Sequence, residues 1–319
     1  MCKVVIARTN EISHEEWLAL RLKGIGGSES AAVCGFNRYC SPLEIWLRKT
    51  GRKEAEADNE AMYFGRLLEP VLREEFSKRT GLKVQTCPFM FASKEYPFMI
   101  ANIDGVVTEK DGTKAILEIK TTNSFTTAKD LEDEDGLPVE WYFQIQHYMA
   151  VCNLPKAYVA VLIGGNKFQY QVVDRDEETI ENIIALETHF WNDFVLKDVP
   201  PPADYNSGSG LSTLYPESDG SSIILPVESD QLVAEYLQIK ATEDELKKSK
   251  AEVENKLKAM LKDAESGITP SGCEVTWQSY SQSRFDTTKF KAAHADLAAQ
   301  FTTTINGRKF SVSEPKAKK

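Results

Sequence analysis

Two acidic side chains and a lysine are spaced so that a hairpin would bring them together. Glu118 and Lys120 are separated by one apolar residue, and Asp104 precedes them in the chain. Residues i and i+2 of a strand share a face, so Glu118 and Lys120 lie side by side, and a preceding antiparallel strand can place Asp104 opposite them. Clustered carboxylates repel unless a cation lies between them, and oxygen ligands suit Mg²⁺ or Mn²⁺ rather than zinc. Such a metal lowers the pKa of a bound water, which Lys120 would position or activate for attack on a phosphate.

A single Glu-x-Lys spacing is more often an exposed ion pair on a hairpin, because short motifs match by chance. The neighbouring residues 115–117 and Ile119 are apolar. They embed the pair in a strand that forms part of a core, which favours the functional interpretation.

Composition excludes several classes of protein. The 319 residues include 38 Lys plus Arg and 48 Asp plus Glu, for a formal net charge of −10, and 42% are hydrophobic, as in ordinary globular proteins. No apolar run is long enough to span a membrane or to form a signal peptide, so we expect a cytoplasmic protein. The six cysteines are scattered without Cys-x-x-Cys spacing, which argues against zinc and iron–sulfur sites. The acidic balance argues against non-specific coating of nucleic acid, but not against an enzyme with a local basic channel.

The chemistry needs a hairpin with helices around it, and the hydrophobic periodicity supplies both. Residues 13–81 have mostly helical spacing and predict a helical N-terminal layer. Residues 99–108 and 113–121 read as antiparallel strands joined by a turn at Asp111 and Gly112.

The remaining pattern continues the first unit and adds a second. We predict a solvated loop at residues 130–136, a helix at 138–151, strands at 156–163 and 168–173, and a helix at 177–195. The predicted domains are a core at 1–200, a linker rich in Pro, Gly and Ser at 201–222, and a C-terminal accessory region at 223–319. Within that region we predict a long helix at 229–264, a strand at 273–277, a helix at 287–299, a strand at 308–312 and a disordered basic tail at 316–319.

Further candidate residues lie on the predicted helices. Glu69 lies on the helix that follows Gly65, and Gln144 and Tyr148 are four residues apart on one helical face. Without other information, Gln144 and Tyr148 are more typical of core or surface positions. His147, beside them, is more typical of a structural residue.

A basic and a hydroxyl side chain near the N-terminus form a second candidate site. Arg21 lies seven residues before Ser28, which follows Gly26 and Gly27. Ser28 is a good helix N-cap, and Arg21 can pair with a helix end, so a structural role is open. A helix N-terminus is also suited to anions, so binding of a phosphate is the alternative.

The order of these residues resembles that of the PD-(D/E)XK nucleases, and in particular the YqaJ viral recombinase and phage lambda exonuclease group. The motif residues, in chain order, are Glu69, Asp104, Glu118, Lys120, Gln144 and Tyr148. The glycine-rich segment 24–35 and residues 159–168 also resemble that group, and the resemblance covers residues 15–195. One departure is that no proline precedes Asp104, at a position that is loose in the family.

The resemblance implies a fold, a metal and a role for each residue. The fold is an α/β (α+β) PD-(D/E)XK restriction-endonuclease-like core, with a central mixed sheet flanked by helices and a smaller C-terminal unit of helices and strands. Asp104, Glu118 and the carbonyl of Ile119 would hold Mg²⁺ or Mn²⁺, with Glu69 at a second metal position or bound through water. The other implied roles are general base or orientation of the water for Lys120, contact with the water or scissile phosphate for Gln144, support for Tyr148, and binding of a DNA 5′-phosphate for Arg21 and Ser28.

The resemblance also implies an activity. It is a metal-dependent 5′–3′ exonuclease, encoded by a phage or prophage in a bacterial host, that degrades one strand of linear double-stranded DNA. The resulting 3′ overhang would serve a single-strand annealing protein, and the family implies a homo-oligomeric ring, with three subunits as its expected number. Two alternatives are open: an endonuclease or single-strand-specific repair nuclease with the same core, and a non-catalytic DNA-binding assembly protein. The filled set of catalytic positions argues against the last.

Overall fold

The computed structural model describes residues 3–54, 58–124, 136–304 and 306–313. The predicted loop, apart from Gly136, and the predicted tail at 316–319 lie outside the described residues. The chain divides into two compact units, Met1–Pro216 and Glu217–Lys319. The domain limits drawn from the sequence stay a prediction.

The predicted helical layer and the helices after it are present in the first unit. They are α1 (His14–Arg21), α2 (Gly27–Val33), α3 (Pro42–Lys49), α4 (Glu60–Thr80), α5 (Val139–Cys152), α6 (Glu177–His189) with a π-helical turn at Phe190–Val195, and α7 (Gly208–Leu214). Side-chain caps fix several starts: Ser13 caps α1, Ser41 caps α3 and Asn59 caps α4. Helix α4 ends where Gly81 adopts a left-handed backbone, with φ of 69°.

Two sheets form the rest of the unit. The strands are β1 (Lys3–Arg8), β2 (Ile25–Gly26), β3 (Lys83–Gln85), β4 (Phe89–Ser93), β5 (Met99–Asn102), β6 (Gly105–Thr108), β7 (Lys114–Thr122), β8 (Lys156–Ile163) and β9 (Lys167–Asp174). One sheet has the order β1-β4-β5-β2, and the other has the order β3-β6-β7-β8-β9. In the second sheet β7 and β8 are parallel and the other neighbours are antiparallel, so the sheet is mixed. The predicted mixed α/β fold is confirmed.

The prediction of one continuous strand at 99–108 is wrong. The chain leaves the first sheet after Asn102 and enters the second at Gly105, which pairs with Leu117. At the break, the Asp104 carboxylate accepts a hydrogen bond of 2.8 Å from the main-chain N–H of Ile119. The two short segments belong to different sheets, so the pairing of β6 with β7 stops at Gly105. Beyond that point the Asp104 side chain, rather than a main-chain carbonyl, accepts the hydrogen bond from the Ile119 N–H.

Strand β7 is the centre of this unit and is covered on both faces. Leu117 packs with Leu72 and Phe76 of α4, whereas Ile116 packs with the cluster that contains Ile145 of α5. Side chains alternate along a strand, so the even-numbered positions of β7 share the α5 face. Glu118 and Lys120 are therefore directed towards α5.

Helix α7 lies within the predicted linker at 201–222. Ser207 is buried beside the start of α7, and its hydroxyl donates to the Asp204 carboxylate at 2.6 Å. Gly210 lies so close to Leu43 of α3 that a Cβ added there would be 3.1 Å from that side chain. The glycine and serine residues thus permit close packing of a short helix on α3, rather than flexibility.

The second unit consists of a long helix, a pair of short strands and two short helices. They are α8 (Glu228–Leu261), β10 (Ser266–Ile268), β11 (Glu274–Thr276), α9 (Thr287–Ala293) and α10 (Ala295–Gln300). The predicted helix at 287–299 is divided at His294, whose φ of −138° is not helical. The predicted strand at 308–312 has no regular structure. Across the described part of the chain, helices of sufficient length and apolar character to cross a membrane are absent.

Candidate active site

The structure brings Glu118, Lys120 and Gln144 into direct contact. Lys120 Nζ lies 2.9 Å from Glu118 Oε1 and donates to Gln144 Oε1 at 2.7 Å. Gln144 Nε2 donates to the same Glu118 oxygen at 2.7 Å. The three side chains close a hydrogen-bonded triangle between β7 and α5, as their positions on one strand face and one helix face require.

Tyr148 extends this contact along α5. Its hydroxyl accepts a bond of 3.1 Å from Gln144 Nε2, and its side chain is buried. The ring lies against Gly27, where an added Cβ would be 2.5 Å from a ring carbon. Glycine at position 27 is therefore required for Tyr148 to occupy this place, which links the glycine-rich segment to the site.

Asp104 directly precedes the first residue of β6. Its bond to the Ile119 N–H fixes the carboxylate beside β7. The N–H and C=O of one strand residue project towards the same neighbour. The Ile119 carbonyl therefore projects to the side of β7 on which Asp104 lies, before the first residue of β6.

Glu69 completes the acidic group from α4. Arg73, one turn later on that helix, forms an ion pair with the Glu69 carboxylate. Arg73 Nε also donates to the Asp104 carbonyl at 3.2 Å, so this guanidinium connects the helix to the strand break. The sequence interpretation missed Arg73, although its spacing of four residues from Glu69 is typical of a helical ion pair.

The carboxylates of this site disfavour each other's ionisation. Burial raises the pKa of Glu118 to about 8, with a further contribution from the Asp104 carboxylate and against the attraction of Lys120. Burial likewise raises the pKa of Asp104, and burial followed by the charge of Asp104 raises that of Glu69. Each of these shifts would be relieved by an added positive charge.

A hard divalent cation fits this donor set. Glu118 Oε2 is buried and has no hydrogen-bond partner among the described residues. Among the same described residues, no group of three or more Asp, Glu, His or Cys side chains forms a complete metal-binding cage. Mg²⁺ needs no such cage, because it commonly uses one or two carboxylates and takes its other ligands from water and substrate phosphate. Asp104, Glu118 and the Ile119 carbonyl would hold such an ion, with Glu69 close to a second position.

A second polar cluster lies around Arg21 and contains two basic side chains and one carboxylate. Arg21 Nη2 donates to Ser28 Oγ at 3.0 Å and lies 3.5 Å from Glu29 Oε2. Lys49 Nζ lies 2.7 Å from that carboxylate oxygen and donates to the Arg21 carbonyl at 2.8 Å. The Gly26 N–H also donates to Glu29, at 2.8 Å. The structure thus joins Arg21 to Ser28, beside a partly buried glutamate–lysine pair. Ser28 lies inside α2, whose N-cap is Gly26, so the expectation that Ser28 is the N-cap is wrong.

The Glu29–Lys49 pair was not among the candidates from sequence. Lys49 is 1% exposed as a side chain. Burial would raise the pKa of Glu29, but Lys49 and then Arg21 lower it below the usual value. No sequence signal joined these two residues, because they are 20 positions apart on different helices.

His147 has a structural explanation, as the sequence interpretation expected. Its Nδ1 lies 2.9 Å from Glu187 Oε1 and its Nε2 lies 2.9 Å from the Ile100 carbonyl, and both side chains are fully buried. The pair joins α5 to α6 and to β5. It thereby fixes the turn of α5 that carries Gln144 and Tyr148.

Comparison with known proteins identifies the family. A sequence profile of the YqaJ-like viral recombinase domain matches residues 16–155, a range that contains all the candidate site residues. The chain is also 38% identical over 316 residues to the uncharacterized protein YqaJ of Bacillus subtilis (strain 168), which covers 97% of each chain. The chain belongs to the YqaJ-like viral recombinase family.

Solved structures similar to this YqaJ-like chain include two bacterial exonucleases. An alkaline exonuclease (LHK-Exo) from Laribacter hongkongensis has a TM-score of 0.48 and 23% identity, over 57% of this chain and 93% of that chain. A phage related exonuclease from Haemophilus somnus 129PT has a TM-score of 0.42 and 13% identity, over 57% of this chain and 99% of that chain.

Proposed function

We propose that this YqaJ-like protein is a metal-dependent deoxyribonuclease that hydrolyses one strand of linear double-stranded DNA from its 5′ end. The observation that supports the proposal most strongly is the site at β7, where the buried Glu118 and the partly buried Asp104 lie close to Lys120 and Gln144. A site that only binds DNA would not need carboxylates facing an anionic backbone. A site for phosphodiester hydrolysis needs them to hold Mg²⁺ or Mn²⁺.

Each side chain has a role that its contacts permit. Asp104 and Glu118, with the Ile119 carbonyl, would hold the cation, which would supply polarisation of the phosphate and a lowered pKa of a bound water. Lys120 orients that water and takes its proton or stabilises charge on the phosphate. Gln144 is already hydrogen-bonded to both Glu118 and Lys120, and so positions the water or the scissile phosphate. Tyr148 holds Gln144 in that orientation.

Polarity in this proposal comes from the second cluster. The guanidinium of Arg21 and the hydroxyl of Ser28 would receive a terminal 5′-phosphate, because Arg binds phosphate oxygens with several N–H donors. Ser28 Oγ already lies within hydrogen-bond distance of Arg21, so one phosphate can contact both. The balanced Glu29–Lys49 pair beneath them leaves the positive charge of Arg21 available for the anion.

The reaction would leave a 3′ single-stranded overhang, which is the substrate of a single-strand annealing protein. Membership of a viral recombinase family supports this place in phage-type recombination. A homo-oligomeric ring, with three subunits as the expected number, would keep the enzyme on one DNA molecule through repeated cycles. The ring and the annealing partner are proposals that the sequence resemblance supports.

Digestion of a defined duplex tests the proposal. The substrate is a linear duplex with one 5′-phosphorylated and one 5′-hydroxyl end, each strand carrying its own label, incubated in Mg²⁺, Mn²⁺ or EDTA. We expect metal-dependent shortening of the strand that bears the 5′-phosphate. Internal cuts would instead support an endonuclease, and the absence of any cutting of duplex or single-stranded DNA would support a non-catalytic DNA-binding assembly protein.

A further inference from the structure

Helix α8 of the second unit carries a regular row of exposed apolar side chains. Five of them recur at intervals of seven residues: Leu232, Ile239, Leu246, Val253 and Met260. Their exposed fractions lie between 54% and 76%. We call these five residues the α8 stripe. Apolar residues at a strict interval of seven over four heptads supply one of the two seam positions per heptad of a helix that supercoils with another helix.

Among the described residues, α8 has no packing partner that explains its length. It has 34 residues, and none of them is buried. Most helical stability in proteins comes from packing of an apolar face rather than from intrinsic propensity. One end has a contact inside the unit, where Tyr236 packs against Phe310 with ring centroids 5.7 Å apart. The α8 stripe itself stays exposed from Leu232 to Met260.

The charges on α8 are divided between its two halves. Residues 228–245 contain six acidic side chains and one lysine, whereas residues 246–261 contain five lysines and two glutamates. A helix dipole favours such a bias only in the first and last turns, but here it extends over each whole half. A second copy of the same helix is complementary when it runs in the opposite direction, because each acidic half then lies against a basic half.

We propose that α8 pairs with α8 of a second copy of this chain as an antiparallel two-stranded coiled coil, with the α8 stripe as its apolar seam. The positions that accompany the stripe in the seam are Tyr236, Glu243, Lys250 and Leu257. In a parallel pair, Glu243 would face the Glu243 of the second copy, and Lys250 would face its Lys250. In the antiparallel pair, Glu243 lies one layer from Lys250 of the second copy, and the two-fold axis repeats this attraction.

The ion pairs that Glu243 and Lys250 form within α8 do not compete strongly with this arrangement. Glu243 lies 4.0 Å from Lys247 and Lys250 lies 3.7 Å from Glu254, on the exposed surface of the same helix. Exposed ion pairs of this kind contribute little. An antiparallel pair is two-fold symmetric, so it is a different contact from one that closes a ring of three subunits. The pairing does not rest on the nuclease proposal.

Molar mass in solution tests the pairing with the full chain. Light scattering during gel filtration should give a wild-type mass equal to an even number of chains, and Leu246→Asp should halve it, because a carboxylate would enter the apolar seam. Ala241→Asp is the matched control: it adds the same charge to the same helix, at the position that points away from the stripe. An odd number of chains in the wild type, an unchanged mass for Leu246→Asp, or an equal loss for Ala241→Asp would overturn the proposal.

Charge exchange tests the direction of pairing and covers the case in which Leu246→Asp disrupts α8 itself. Glu243→Lys and Lys250→Glu should each raise the protein concentration at which the mass halves by about tenfold. The double variant should return that concentration to the wild-type value, because the attraction is restored with its sign reversed. A double variant that dissociates as readily as the single variants would overturn the antiparallel pair, as would single variants that dissociate no more readily than wild type.

Discussion

The pKa values of two glutamates of the first unit, the buried Glu118 and the partly buried Glu29, are shifted in opposite directions. Glu118 lies beside Asp104 and close to Glu69, and its pKa is raised to about 8. Glu29 lies between Lys49 and Arg21, and its pKa is lowered. Both carboxylates accept hydrogen bonds from the protein, so the difference comes from the charges around them and not from burial alone.

The difference between the two glutamates indicates that a cation would bind beside Glu118 and an anion beside Arg21. Around Glu118, negative charge exceeds what Lys120 and Arg73 can balance, and the free Oε2 of Glu118 marks where a cation would bind. Around Glu29, Lys49 balances the carboxylate and Arg21 is left to face solvent with Ser28. We therefore propose that the same unit binds a metal cation at one place and a phosphate anion at the other, as an exonuclease that starts at a 5′-phosphate would require.

The largest expected effect follows removal of the Glu118 charge or of Lys120. Glu118→Gln and Lys120→Ala should each lower digestion of linear duplex by at least about 100-fold, because each removes a group that holds or orients reacting atoms. Circular dichroism should show a retained fold. Glu75→Gln, which neutralises an exposed glutamate on α4, is the control and should digest as wild type. Digestion that persists in both site variants would rule out this active site.

The second prediction concerns stability at the Glu29–Lys49 pair. Lys49→Met should destabilise the protein by roughly 3–5 kcal/mol in urea unfolding, because it leaves the partly buried Glu29 carboxylate without its main partner. Adding Glu29→Gln should recover most of that loss. The exposed pair of Arg79 and Glu75 gives the reference, since Arg79→Ala should cost about 1 kcal/mol or less. A cost for Lys49→Met no greater than that reference would show that the pair is not an electrostatic unit.

The third prediction separates end recognition from hydrolysis. Arg21→Ala should reduce the preference for 5′-phosphorylated over 5′-hydroxyl ends by about tenfold, because it removes a charge-assisted hydrogen bond to phosphate. The rate on 5′-hydroxyl ends should change little. Lys23→Ala removes a nearby exposed cation and should keep the preference. If both variants lose it equally, the effect is one of general charge and not of a phosphate pocket.

The smallest effect is a pH-dependent stabilisation by metal. The pKa of Glu118 is raised from 4.5 to about 8 on folding, so the folded state holds the proton in that interval and this group's contribution to stability falls as pH rises through it. A cation competes with the proton for the same carboxylate. Mg²⁺ should therefore raise Tm by about 2–4 °C at pH 9 and by less at pH 6.5. Glu118→Gln should abolish the difference between the two pH values, and a metal shift that is larger at pH 6.5 would contradict the account.

Much of the site could be predicted because it depends on local periodicity. Glu118 and Lys120 share a strand face, and Gln144 and Tyr148 share a helix face, so their positions follow from spacing once the elements are assigned. The break at Asp104 could not be predicted, because it depends on the passage of the chain from one sheet to the other between β5 and β6. Lys49 and the placement of α7 on α3 were missed for the same physical reason: each is a tertiary contact between elements with no motif in common. Arg73 was missed although its spacing from Glu69 within α4 is local. The roles proposed for the site residues stay predictions.

Calorimetric titration of Mn²⁺ at pH 9, above the pKa of about 8 of Glu118, tests most directly whether a cation binds at Glu118. It compares wild type, Glu118→Gln and the charge-balanced double variant Glu29→Gln/Lys49→Met. We expect that wild type and the double variant bind Mn²⁺ with the same stoichiometry and similar affinity, and that Glu118→Gln loses that binding. Equal binding by Glu118→Gln, or loss of binding in the double variant alone, would contradict the assignment of the cation to the Glu118 site.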